Sequence, residues 1–234
     1  MKRLATLVLL LALAPPACGA PPTEFPALLE SSPPPSYMVR LFQADKEGNR
    51  SAGSGALISD TLILTAAHVV DQGVGSKVEV LFLSNWEVVL GEVVAFEAST
   101  SAGPDGQGHD IALVRVESRA ETPIPIGAIA AKGDSTVHGF AYGPYREAVG
   151  NHYTWDVTSR WGVIRDAQAR NGDSGGPITQ KGKIVGVLWG ASDGYTWFTP
   201  IQKIAAIFPQ VKTQPLKQLN KVKNANPRII YSLR

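Results

Sequence analysis

An all-β protein is what this sequence predicts, on three observations. Short runs of strand-forming residues recur along most of the chain; turn formers separate them, with 23 Gly and 17 Pro among 234 residues; and one late segment, 200–208, has apolar residues at helical spacing. The runs cover 37–42, 55–58, 62–65, 78–83, 87–97, 111–116, 136–139, 155–163, 177–179, 183–189 and 195–199, bounded by Gly, Pro, Asn or Asp. Strands this short at this spacing build a sandwich or barrels, and periodicity alone does not choose between them.

Taken in chain order, Met1-Lys2-Arg3 and the apolar run from Leu4 to Ala14 read as the charged and hydrophobic parts of a secretory signal, too short to span a bilayer as a mature helix. The signal is expected to occupy 1–19, so the protein is exported, secreted or periplasmic. Small residues around Cys18 suit ordinary cleavage after Gly19, and Cys18 also suits the lipidated cysteine of a lipoprotein, although Pro15 and Pro16 sit where a lipobox carries an aliphatic and a small residue. Membrane attachment is expected only in that second case. Residues 20–36, with Pro33-Pro34-Pro35, read as a stiff Pro-rich linker. Cys18 is the sole cysteine, so the exported domain has no internal disulfide and depends on burial, for which 44% apolar residues suffice.

The segment 37–208 carries the chemistry. Thr65-Ala66-Ala67-His68, His109-Asp110-Ile111-Ala112-Leu113 and Gly172-Asp173-Ser174-Gly175-Gly176-Pro177 present a histidine, an aspartate and a serine in that order. A serine hydroxyl is a weak nucleophile at neutral pH and needs a base within hydrogen-bond reach, which in turn needs a group to hold its tautomer. His68 suits the base, because imidazole titrates near neutrality. Asp110, at the mouth of the 111–116 strand, suits the orienting carboxylate. The glycines beside Ser174 allow a turn that aims the Gly172 and Ser174 amides into one concavity, where a tetrahedral intermediate would place its negative oxygen. Each fragment alone has a plain structural reading as a polar turn, a core histidine or a strand cap; together and in order they point to acyl transfer from peptides.

The three segments resemble those of the chymotrypsin-like (trypsin-fold) serine peptidases, whose chain order is also His, Asp, Ser. The resemblance extends to Ser54-Gly55-Ala56-Leu57-Ile58 as an entry strand and Gly186-Val187-Leu188-Trp189-Gly190 as the strand flanking the substrate cleft. It implies two six-stranded antiparallel β-barrels packed together, the active site between them, and 200–208 as a short C-terminal helix. It implies a disulfide-free serine endopeptidase of bacterial type with His68, Asp110 and Ser174 as triad and Gly172 and Ser174 as oxyanion hole. Protein or peptide substrates are the expected partners, and no cofactor is expected. A catalytically silent homologue used as a binding module is the alternative, against which stands the presence of all three triad residues. An esterase acting through the same acyl-enzyme is a further reading. A chaperone-protease with appended peptide-binding modules is disfavoured by the few residues after Phe208.

The resemblance also fixes where this chain departs from the pattern. No activation sequence precedes Tyr37, so Asp173 is expected to pair with Arg160, Arg165 or Arg170 in place of a newly formed N-terminus. Leu188 stands where many relatives carry a serine supporting the triad carboxylate, so Asp110 must find that hydrogen bond elsewhere or go without. Gln168, six residues before the nucleophile, falls at the base of the specificity pocket, with Trp189 and Gly190 along its wall; no carboxylate is there to favour Lys or Arg, and a medium-sized uncharged side chain is the expected preference. No metal site is expected: His109 reads as a surface or loop residue, and His138 and His152, far from any ligand-spaced partner, as structural or solvated. The tail 209–234 carries six Lys/Arg and no Asp or Glu, while the whole chain is only +2. It reads as a partly disordered solvated end, and no nucleic-acid binding is expected.

Overall fold

A computed structural model describes residues 33–45, 47–98, 109–128, 132–141, 143–153, 162–165, 169–192 and 195–211, with the side chains of 132, 152, 153 and 192 left aside. The signal, the start of the linker, most of the tail and Gln168 lie outside these residues. Twelve strands are present among the described residues: β1 (Met38–Ala44), β2 (Arg50–Leu57), β3 (Leu62–Thr65), β4 (Lys77–Phe82), β5 (Glu87–Ala98), β6 (Asp110–Arg115), β7 (Lys132–Gly139), β8 (Arg146–Tyr153), β9 (Gly162–Arg165), β10 (Pro177–Gln180), β11 (Lys183–Ser192) and β12 (Tyr195–Pro200). A short 3-10 helix, Ala67–Val70, follows β3, and the helix α1 (Ile201–Ile207) follows β12.

The strands close into two six-stranded barrels, β1-β2-β3-β6-β5-β4 and β10-β11-β12-β9-β8-β7, with antiparallel pairing throughout. Closure removes the sheet edges, and the alternating side chains fill each interior. In the first barrel Val39, Leu41, Ile63, Val80, Phe82, Val93, Leu113 and their neighbours form one buried cluster. The second barrel has a smaller core of Val137, Ile164, Ile178, Val185, Leu188 and Phe198. Gly162 and Gly186 flank the Phe198 ring so closely that a methyl group on either would collide with it. Helix α1 turns Ile201 and Ile204 inward against Ile184 and Val187. The segment between the barrels is tied to both, since Ile124 N–H donates to Leu57 O at 2.9 Å and Gly127 N–H to Ile184 O at 2.9 Å.

Of the strand expected over 155–163, residues 162 and 163 belong to a strand. Residues 154–161 lie outside the described set, and β9 is described from Gly162 to Arg165. Sequence periodicity missed β8 altogether. Its segment Arg-Glu-Ala-Val-Gly-Asn-His-Tyr holds few strong strand formers, yet it pairs with β7 from Lys132↔Tyr153 to Gly139↔Arg146. Pairing on both sides fixes it, and intrinsic propensity is overridden.

Candidate active site

His68 and Asp110, the expected base and orienting carboxylate, come from the first barrel. The 3-10 helix carries His68 at the end of β3, and β6 opens with Asp110, so the pairing Thr65↔Ala112 brings the two together. His68 Nδ1 lies 2.5 Å from Asp110 Oδ2. The second carboxylate oxygen, Oδ1, accepts the His68 backbone N–H at 2.9 Å. That amide supplies the extra support for Asp110 that Leu188, a core residue of the second barrel, does not give. The imidazole side chain is 46% exposed and the carboxylate 13%, so the ring's far edge faces solvent while its partner is shielded.

Ser174 comes from the second barrel, on the turn leading into β10, and backbone contacts seat this turn on the first barrel. Ser54 N–H donates to Ser174 O at 2.7 Å, and Ser54 Oγ donates to Gly172 O at 2.7 Å while accepting Phe140 N–H at 3.1 Å. A Cβ on Gly53 would press on Val69 and come within 3.0 Å of Ser174 O; one on Gly175 would press on Thr65 Oγ1 and come within 3.0 Å of Ala66 N. The serine turn thus lies directly against the residues on either side of His68. No hydrogen bond joins the Ser174 hydroxyl to the ring among the described residues. In empty active sites such contacts are often long and tighten only with substrate.

Within the turn Asp173 N–H donates to Arg170 O (3.0 Å), Gly175 N–H to Leu188 O (2.8 Å) and Gly176 N–H to Asp173 O (2.9 Å). The amides left over are those of Gly172 and Ser174, neither of which has a hydrogen-bond partner among the described residues. Gly172 sits at φ +96° and Gly175 at φ +82°, backbone conformations that other residues adopt only under strain. An anion placed against the two free donors would gain what the turn withholds from the rest of the protein.

Asp173 is 1% exposed, and its cation is Arg146, whose Nη1 lies 2.8 Å from Oδ2. This corrects the expectation of Arg160, Arg165 or Arg170. Arg170 contributes its backbone N–H to the same oxygen at 2.8 Å, Arg165 lies over the Tyr195 ring, and Arg160 falls outside the described residues. Arg146 faces Gly139 across the β7–β8 pair. Opposed side chains share a face. Gly139 has none, and a Cβ there would strike the Asp173 carboxylate; the guanidinium meets Asp173 over that gap. Burial pushes the Asp173 carboxyl above its usual range, and the Arg146 charge pulls it back down.

Of the expected cleft residues, Trp189 and Gly190 lie half-buried on β11, where the pairing with β12 shifts register between Leu188 and Gly190. The Trp189 and Trp197 rings stack with centroids 6.2 Å apart. Among the described residues, only Trp197 Cδ1, at 4.0 Å, comes near the place a Gly190 side chain would take.

His138, for which a structural or solvated role was expected, is buried and hydrogen-bonded. It is 5% exposed, with Nδ1 at 2.8 Å from Tyr145 Oη and Nε2 at 2.8 Å from Thr179 Oγ1, while Tyr145 donates to Glu147 Oε1 at 2.5 Å. The Tyr37 ring meets the imidazole edge-on. Burial pushes the His138 pKa down to about 4, against the opposing pull of Glu147. Between the ordinary value of 6.5 and that of about 4, the unfolded chain holds a proton that the folded one refuses, so stability falls as pH drops through this window. At 1.36 kcal/mol per pKa unit the loss is about 3 kcal/mol. Urea midpoints measured from pH 7 to pH 4 should therefore decline and should decline less in His138→Gln; an equal slope in the variant would assign the effect to other groups.

Residues 53–187 match the model of the trypsin-like peptidase domain, and the chain belongs to that family. Among curated proteins it is 29% identical over 191 residues to the mitochondrial protein of Arabidopsis thaliana named as protease Do-like 3; the match takes in 71% of this chain and 32% of that relative, so the chain spans about a third of its length. Among solved structures, the fold is similar to that of the Rv3671c protease of M. tuberculosis in its active form (TM-score 0.62, 21% identity, 77% of this chain and 83% of that one). It is also similar to a serine endoprotease from Yersinia pestis (0.57, 17%, 75% and 62%). A third match is the scabies mite inactivated protease paralogue S-I1 (0.61, 14%, 77% and 97%).

Proposed function

We propose that this chain is an exported serine endopeptidase that cleaves peptide bonds through an acyl-enzyme. The observation that carries the reading is the His68–Asp110 pair set beside a serine turn with two unpartnered amides. Ser174 Oγ attacks the scissile carbonyl carbon as His68 Nε2 takes its proton, and the carbonyl oxygen becomes an anion held by the Gly172 and Ser174 N–H groups. Collapse expels the amine, which leaves with the proton from His68; water then repeats the sequence and frees the carboxylate product. Asp110 holds the ring and offsets its transient positive charge. Export rests on the signal at 1–19, with a lipid anchor if Cys18 is acylated. The open wall at Gly190 and the lack of a carboxylate at 168 support a preference for a medium-sized uncharged side chain before the cut.

The inactivated mite paralogue shows that similarity of fold does not decide between an enzyme and a silent binding module. Here the nucleophile, base and orienting acid are all present, which favours the enzyme. The test is to incubate the purified mature chain with casein and with a serine-directed fluorophosphonate, beside Ser174→Ala. Labelling and cleavage should both vanish in the variant. A wild-type chain that takes no label and leaves casein whole would favour the silent module, and cleavage that survives in the variant would remove Ser174 from its role.

A further inference from the structure

We propose that His138 is a positioning residue for the serine turn: its imidazole, fixed between Thr179 and Tyr145, sets the strand from which Arg146 reaches Asp173. This rests on the serine-peptidase reading and adds to it a group remote from the reacting atoms.

The hydrogen bonds around the ring run in one direction. A carboxylate can only accept, so Tyr145 gives its proton to Glu147, at 2.5 Å. The tyrosine oxygen therefore accepts from His138 Nδ1–H, and in the neutral ring Nε2 accepts from Thr179 Oγ1–H, both at 2.8 Å. Thr179 belongs to β10, which leaves the serine turn; Tyr145 immediately precedes Arg146, which pairs with the turn. One buried imidazole thus joins the strand after the nucleophile to the strand that carries the counter-ion of Asp173.

Strand geometry explains how this acts on the site. Side chains alternate between the two faces of a strand, so His138 and Gly139 face opposite ways, as do Tyr145 and Arg146. Tyr145, Glu147, Thr179 and the Tyr37 ring gather on the His138 face. On the other face, Arg146 meets Asp173 over Gly139. The main chain of His138 itself touches the turn, because a Cβ on Gly176 would collide with the His138 carbonyl. A clamp on the back of the β7–β8 pair therefore fixes how far Arg146 extends on the front, and with it the attitude of Asp173 between the two amide donors at 172 and 174.

The test uses Thr179→Val, which keeps the shape of the side chain and removes the donor, Tyr145→Phe, and Thr179→Ser, which keeps the hydroxyl. Active sites are counted by fluorophosphonate labelling, kcat and KM are measured per labelled site, and affinity is measured for a peptide boronate that forms a tetrahedral adduct. Thr179→Val and Tyr145→Phe should lower kcat about five- to tenfold with KM little changed, the size expected for one lost hydrogen bond. Boronate affinity should weaken by the same factor, and Thr179→Ser should restore both. A merely structural role would lower the melting temperature and the fraction of labelled sites while leaving kcat per site and boronate affinity as in the wild type; that result in either folded variant overturns the proposal. A wild-type chain that neither labels nor cleaves would instead remove the peptidase reading on which it rests.

Discussion

Asp110→Asn should lower kcat by about 10⁴-fold while leaving the fold in place, which is the loss expected when a relay imidazole is held in the wrong tautomer. The two hydrogen bonds of Asp110 explain why a change of one atom matters so much. Oδ1 accepts the His68 backbone N–H, and Oδ2 faces Nδ1 of the ring. An asparagine must keep its carbonyl oxygen toward the backbone donor, since its amide group there would set donor against donor. Its NH₂ is then turned to Nδ1, which has to accept. The ring proton moves to Nε2, the nitrogen that should receive the serine proton, and the base is blocked. The measurement is kcat on a chromogenic peptide beside urea unfolding of both proteins. A fall of less than tenfold in a variant of wild-type stability would mean that Asp110 does not orient the base.

What could be read in advance divides along the range of the interactions involved. The His68, Asp110 and Ser174 segments are local patterns, because each needs its own strand mouth or glycine turn whatever the rest of the chain does. The closed barrels in turn follow from the family those segments resemble. Arg146 was hidden because its role depends on register: 27 residues separate it from Asp173, on a strand containing Glu147, Gly150 and Asn151 that no propensity marks as β. Only the pairing Gly139↔Arg146 reveals that a guanidinium stands where a glycine leaves room. Of the three arginines nearer in sequence, Arg170 does touch the Asp173 carboxylate, but through its main chain. His138 was hidden for a similar reason, since Tyr145, Glu147 and Thr179 become its neighbours only when β7 lies between β8 and β10.

Removing the Arg146 guanidinium should be the most costly single change to stability at this site. Asp173 is almost wholly buried and Arg146 is 23% exposed, so Arg146→Met strands a carboxylate that retains the Arg170 amide but loses its counter-charge. Breaking a buried pair from one side costs about 3–5 kcal/mol, and the partial exposure of Arg146 places the loss toward the lower figure. The carboxyl, already pushed up by burial and held back by this arginine, would rise further and take up a proton more readily. The site should suffer as well, because Asp173 lies between the two amides that would receive the oxyanion; misplacing one donor costs on the order of 10²-fold in kcat. Arg146→Lys should recover part of the stability through its charge and less of the activity, for it lacks the planar fork. Adding Asp173→Asn to Arg146→Met removes the unpaired charge, so the double variant should be more stable than Arg146→Met alone and should stay slow, a non-additivity that a double-mutant cycle in urea measures directly. If Arg146→Met unfolds within 1 kcal/mol of the wild type and keeps its kcat, the ion pair is incidental and the serine turn is held by its backbone bonds to Ser54 and Leu188.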